Sequence, residues 1–528
     1  MLRQLARYAR PCGSATVFFK KGCGMMASST AAAAHAAAPL STTARGPATG
    51  VEYSVAKGVA DVPVLDQLVG YYVNIQSRKM YYKDFLRIEH QAVRWAFADI
   101  RKNSEALAHG LLQTGLRPGH RVLAIQPCNC ETFVLQLACA KVGALLAVVP
   151  HHNINADKLR FYLNEFQPHH LIAREWIVVP EMKQGVLVER NMHFWDMIYN
   201  VIPELGLSYP GQRFQWVHSQ EFFFLKKVVI TDHNMNLLGV TPMRKILVWG
   251  PFSYYEQRLR RLSALLHPDD PILALEDPHP AIEDKLHITF SHRNCINAGF
   301  LFGNIMQLKA ETRFGVMPNH HVDPVGAIIA PYAALTTGAV LVHIHSDMFT
   351  DDHAINAIEK LCVEEVEGIL GKKSDFDLLL RHTGNFDADQ YEHLKWVCLF
   401  EDANEPVVGT DYLEKLAKEL SLNDVFVFRG PLESAYMLTW RSLRRGDSGM
   451  VPHVEAKVVG DRGTADAKVL AANTRGNLKL KGPHISPGYY NNAGLLTELV
   501  DERGFCSTSR EAVMDEKGLL TLHPTQIY

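Results

Sequence analysis

Leu286-His-Ile-Thr-Phe-Ser-His-Arg-Asn294 reads as a strand, Leu286 to Phe290, that runs directly into a helix through Ser291-His292-Arg293-Asn294. A strand feeding a helix is where α/β enzymes place anion-binding loops, because free amides at a helix start attract negative charge. The same alternation recurs outward from this stretch. Glu131 to Val142 has helical patterning, Gly143 acts as its stop, and Ala144-Leu-Leu-Ala-Val-Val-Pro150 suits a strand buried on both faces. Phe97, Ile100, Leu107, Leu111 and Leu112 share a helical face; Gly115-Leu-Arg-Pro-Gly119 ends that helix before a strand at Arg121 to Ile125. Helix and strand follow at Asn155 to Phe166 and His170 to Ala173. Residues 174 to 280 are less regular, with strands expected at Phe222 to Ile230 and Arg244 to Trp249, a helix at Tyr254 to Leu266, and a loop from Asp269 to Pro280.

Downstream, helices are expected at Cys295 to Leu308, Val325 to Leu335, Asp351 to Leu361 and Asp411 to Leu420, interleaved with strands near Thr312, Ala339, Trp396 and Val425. From Gly446, Gly and Asn turns separate short strands. The expected fold is therefore α/β: two doubly wound αβ subdomains, residues 51–285 and 286–445, plus a small β-rich, barrel-like subdomain, 446–528.

The composition, 528 residues with 47% hydrophobic and 21% charged, is that of a globular chain of several packed units. Lys+Arg 54 against Asp+Glu 56 carries no global nucleic-acid or anionic-membrane signature. The 9 cysteines show no paired zinc-ligand spacing, which fits buried thiols in a reducing compartment. Residues 1–50 contain Arg3, Arg7, Arg10, Lys20, Lys21 and Arg45 and no acidic residue, and Ala27 to Thr43 is rich in Ser, Thr and Ala. That pattern is expected of a mitochondrial transit peptide and places the protein in the matrix. No apolar run is long enough to span a membrane.

Several segments, in order, give a family resemblance. Ala106-Leu-Ala-His-Gly-Leu-Leu-Gln-Thr-Gly-Leu-Arg-Pro-Gly-His-Arg-Val-Leu-Ala-Ile125 and Leu137-Ala-Cys-Ala-Lys-Val-Gly-Ala-Leu-Leu-Ala-Val-Val-Pro150 resemble the N-terminal region of AMP-forming acyl-CoA synthetases, the adenylate-forming superfamily. Ser291-His-Arg-Asn294, Pro318-Asn-His-His321 and Gly338-Ala-Val-Leu-Val342 are similar to further motifs of that family. Met450 to Lys457 and Gly482 to Tyr490 resemble its third subdomain, most closely in the medium-chain branch. The resemblance implies the large N-terminal domain fold of adenylate-forming enzymes. It also implies a reaction in which MgATP and a carboxylic acid give an acyl-adenylate, whose acyl group passes to CoA.

Measured against the family's site, the chain departs at several positions. The resemblance expects a Ser/Thr/Gly/Lys phosphate loop, and none stands between Phe290 and Ser291, which reads as its deletion. The family's Tyr-Gly-x-Thr-Glu matches Arg429-Gly430-Pro431-Leu432-Glu433, keeping Gly430 and the magnesium-binding glutamate as Glu433. The ribose-binding aspartate matches Arg510, whose guanidinium has donors only. His321 is the other remnant, and the family's C-terminal catalytic-lysine domain has no counterpart before Tyr528. Losing one preorganised donor costs ~2.7–4 kcal/mol of transition-state stabilisation. Such groups act as a unit, yet two losses would slow chemistry by ~10⁴.

The expectation is thus a site with no intact catalytic residue, in which Ser291, Arg429, Leu432 and Arg510 are degenerate nucleotide positions. With no metal or other cofactor held, the chain would be a mitochondrial pseudoenzyme serving as a structural or interaction subunit of a large assembly with other mitochondrial proteins. The alternatives are an active fatty acyl-CoA ligase using ATP, magnesium on Glu433, and CoA, or a module that senses acyl or CoA ligands.

Overall fold

The computed structural model describes residues 53–523, apart from 153, 184–185, 209–215, 233–235, 251–252, 278–286, 319, 345–350, 383–391, 461–466 and 491–499. The expected transit segment, 1–50, lies outside the described residues. The apolar runs form two large sheets. The first has the order Thr241–Pro242, Lys227–Ile230, His170–Ala173, Arg121–Ile125, Leu145–Val149, Pro271–Glu276, His287–Ser291, Gly488–Tyr490. Its first six strands are mutually parallel and its last two pairings antiparallel. The second sheet is parallel through Asp84–Ile88, Val340–His343, Arg313–Val316, Gly368–Gly371, Trp396–Asp402 and Asp424–Gly430, with antiparallel strands at both edges. Five antiparallel strands, from Val55–Lys57 to Leu520–His523, make the smaller β-rich unit.

Local chemistry sets the element ends. Gly143 takes φ 80° as the C-cap of Cys130–Val142, and Leu145–Val149 is buried throughout, as a central parallel strand should be. Helices His292–Ile305 and Ala330–Thr337 pack closely in the layer between the large sheets. A Cβ on Gly299 would lie 2.2 Å from the Tyr332 backbone, so only glycine permits that approach. One core joins Ile288 and Phe290 of the first sheet to Phe314, Phe400 and Phe428 of the second.

The α/β expectation is met, but its boundaries change. Asp84–Ile88 and Val93–Ala96 join the second sheet, whereas His287–Ser291 and Gly488–Tyr490 join the first, so the divisions at 285/286 and 445/446 do not separate sheets. The expected strand at Arg244 is instead a short helix, Met243–Ile246, because Pro242 ends the preceding strand and starts a turn. Phe222 to Leu225 is a turn, with the Phe222 N–H donating to Ser219 Oγ, and only Lys227–Ile230 is strand. The expected loop at Asp269 contains the strand Pro271–Glu276.

Candidate functional site

Strand direction locates the site. Pro271–Glu276 runs parallel to Leu145–Val149, with Leu273 opposite Leu146, so Glu276 and Asp277 lie at the carboxyl end of the parallel strands. Open α/β sheets bind ligands at that end. His287–Ser291 returns antiparallel, Glu276 facing His287, and delivers Ser291 to the opposite, amino end. The connection between the two strands, Asp277-Pro-His-Pro-Ala-Ile-Glu-Asp-Lys-Leu286, therefore leaves and re-enters at the ligand-binding end. This corrects the deletion read at Phe290–Ser291: the junction is on the wrong end of the sheet to hold a phosphate loop.

Ser291 instead caps a helix. Its Oγ accepts the Asn294 N–H at 3.2 Å, and its own N–H donates to Asn294 Oδ1 at 3.0 Å, a reciprocal capping box. Asn294 Nδ2 then donates to the Pro483 and Ile485 carbonyls at 3.0 and 2.8 Å. His292 is fully buried, and its Nδ1 accepts the Val69 N–H at 3.2 Å. Burial holds its pKa down near 3, consistent with a neutral ring. Here Ser291 caps the helix, His292 ties the lead-in segment to it, and Asn294 ties it to the β-rich unit.

The carboxyl ends of both sheets converge. Gln126, just past Arg121–Ile125, offers its carbonyl to His321 Nε2 at 2.9 Å, and Cys128 Sγ lies 3.0 Å from His343 Nδ1 at the end of the facing sheet. Along the same line the Tyr489 hydroxyl sits 3.0 Å from Asp277 Oδ2 and 3.3 Å from Glu433 Oε1. Glu433 is fully buried in a tight turn after Asp424–Gly430, and its carbonyl accepts the Ser486 N–H at 2.8 Å. Burial and then the two carboxylates push the Tyr489 phenol well above its usual range. Arg510, buried on Cys506–Met514, stands with Nη2 3.9 Å from Asp402 Oδ1, and its charge acts on the Tyr489 phenol, against the two carboxylates.

Five segments remote in sequence thus meet around Glu433. Of the residues singled out from sequence, Glu433 and Arg510 come together here. Gly430 supports the turn: a Cβ there would lie 2.5 Å from Ser434 Oγ. Arg429 points elsewhere, its Nη1 2.9 Å from Glu401 and its Nη2 donating to the Ala403 and Glu405 carbonyls, so it clamps the 401–405 turn. Leu432 is core. His321 stands apart, ringed by Gln126 and, at 5.8 Å between ring centroids, His151.

Sequence reading missed Asp277 and Tyr489, which only strand order brings to Glu433. His320 is a further residue that the sequence does not single out. His320 is buried between Asp323 Oδ2 (2.6 Å) and Asp375 Oδ2 (2.7 Å), with Lys372 Nζ 3.3 Å from Asp323. Burial alone would lower its pKa, but the two carboxylates outweigh that and raise it to about 10, while Asp323 is held near 2. Both ring nitrogens donate, so this group is a closed ion cluster.

Comparison with known proteins agrees with the fold. The AMP-binding enzyme family profile matches residues 76–196. The chain is 22% identical to the mouse protein "Medium-chain acyl-CoA ligase ACSF2, mitochondrial" over 476 residues, 88% of this chain and 72% of that one. It is 22% identical to "Putative acyl-CoA synthetase YngI" of Bacillus subtilis over 436 residues, 81% of this chain and 73% of the relative. In structure it is similar to a putative long-chain-fatty-acid CoA ligase from Rhodopseudomonas palustris, with TM-score 0.65 and 16% identity, covering 87% of this chain and 99% of that one. The resemblance read from the sequence is borne out: the chain is a relative of the AMP-binding, adenylate-forming acyl-CoA synthetases, on the side of the medium-chain ligases. The expectation of a catalytically dead structural subunit is overturned, since relatives matching most of the chain are named as ligases and synthetases. No helix among the described residues is long and apolar enough to cross a membrane.

Proposed function

We propose that this chain is an AMP-forming acyl-CoA ligase acting on a carboxylic acid of the fatty-acid class, in the mitochondrion. The observation that carries the reading is the buried Glu433, brought beside Asp277 and Tyr489 at the carboxyl ends of two converging parallel sheets. In the reaction the resemblance implies, a carboxylate oxygen attacks the α-phosphorus of ATP and pyrophosphate leaves. The CoA thiol then attacks the acyl carbonyl and AMP leaves. The carboxylates of Glu433 and Asp277, paired about one hydroxyl, fit a hard divalent cation accompanying the nucleotide, which when bound would screen phosphate charge. Arg510 offers donors only, so it suits an anionic group of the substrate rather than ribose hydroxyls.

The mitochondrial placement is supported by the basic, acid-free segment 1–50 and by the name of the mouse relative. Residues Asp277, Glu433 and Arg510 are the proposed binding set. ATP–pyrophosphate exchange across a panel of fatty acids tests the reading: exchange that depends on the acid supports it, and none above background with any acid overturns it.

A further inference from the structure

A separate cleft of about 700 Å³ opens among the helices Val69–Lys79, Phe97–Gln113, Cys130–Val142 and Ser253–Ser263. None of its lining residues belongs to the group around Glu433. Lys141 lines it from the last turn of Cys130–Val142 and is only 6% exposed. Gly70 makes room for its stem: a Cβ there would lie 2.9 Å from Lys141 Cγ. Among the described residues the ammonium makes no short hydrogen bond; its ion-pair partner, Glu105 Oε1, stands 3.6 Å away. That same oxygen is bound by Arg101 Nε at 3.1 Å. One carboxylate is therefore divided between two cations, and a buried ammonium without full pairing is costly. Burial lowers the Lys141 pKa to about 8, against the pull of Glu105.

The neighbouring acids are engaged. Asp99 accepts the Ala96 N–H, and Glu256 binds Arg260 at 2.7 Å. At the rim, Trp249 is 39% exposed, with Lys102 Nζ 5.8 Å from its ring centroid, and Arg78 adds a further cation to the wall. A buried, under-paired cation below an exposed aromatic rim is the arrangement that recognises an anion carrying a flat or apolar body.

We propose that this cleft is a binding site for a small organic anion, a carboxylate or a phosphate ester, whose charge pairs with Lys141 and whose body rests on Trp249. The site would be additional to the one around Glu433. Titration calorimetry of the full chain with benzoate and with phenyl phosphate tests it, comparing the native chain with Lys141→Met, Trp249→Ala and Glu433→Gln. Loss of a charge-assisted hydrogen bond should weaken binding about 10- to 100-fold in Lys141→Met. Trp249→Ala, at an exposed position that leaves the core intact, should weaken it as well, and Glu433→Gln should leave it unchanged. Whichever of the two probes binds identifies the anion class. Binding that survives both cleft substitutions, binding that is lost with Glu433→Gln, or no heat from either probe at millimolar concentration would overturn the proposal.

Discussion

The strand His287–Ser291 has two ends that do different things. At one end the chain arrives beside Asp277, where Tyr489 and Glu433 gather from distant segments. At the other, Ser291, His292 and Asn294 cap a helix and bind the lead-in segment and the β-rich unit. The family-like motif Ser-His-Arg-Asn lies wholly at the second end. Its position in sequence suggests a site, but strand direction makes it structural. The lesson is that a motif's role depends on which end of a parallel sheet it occupies.

The largest expected effect comes from a third, closed group beside these two. His320→Gln leaves Asp323 and Asp375 without their shared cation in a buried place, and should destabilise by ~3–5 kcal/mol in denaturant unfolding. Because the folded pKa of His320 is raised, its contribution is fully present below about pH 6.5 and declines as pH rises toward about 10. The native chain should show that alkaline loss and His320→Gln should not.

Glu433→Gln separates the two ends by activity. It should slow adenylation ~10²–10³-fold, read as ATP–pyrophosphate exchange, while the unfolding midpoint changes little by comparison. His292 tests the structural end through pH. Its folded pKa is depressed to about 3, so the unfolded chain binds the extra proton, and stability falls as pH drops from about 6.5 toward 3. His292→Gln should flatten the unfolding profile in that window by ~1.4 kcal/mol per pH unit. Ser291→Ala should cost the least, ~1 kcal/mol of stability for a lost cap, with the exchange rate preserved.

Much of the architecture is legible in the residues. Gly143 and the apolar run after it mark a helix stop and a buried strand, and both occur as read. Prolines mislead where they are taken for loops: Asp269 to Pro280 hides the strand Pro271–Glu276, whose Ile272, Leu273, Ala274 and Leu275 are all core. Missing that strand also misplaced the connection that follows it, and so produced the reading of a deleted loop. Its signal, an apolar run between turn residues, was present in the sequence. Glu433 and Arg510 were reached through family resemblance. Asp277 has no such signal, and Tyr489, although inside the family-like run Gly482 to Tyr490, is not singled out by it, because Gly488–Tyr490 pairs with a strand almost two hundred positions upstream, as Thr289 opposite Gly488 shows. His320 gave none either, since its charge depends on Asp375, which is distant in sequence.

The most direct test is ATP–pyrophosphate exchange with a medium-chain fatty acid, measured on the native chain, Ser291→Ala and Glu433→Gln side by side. Acid-dependent exchange in the first two and its loss in the third is the predicted result. No exchange in the native chain, or equal loss in Ser291→Ala and Glu433→Gln, would contradict a working site at the Asp277–Glu433 end of the sheets.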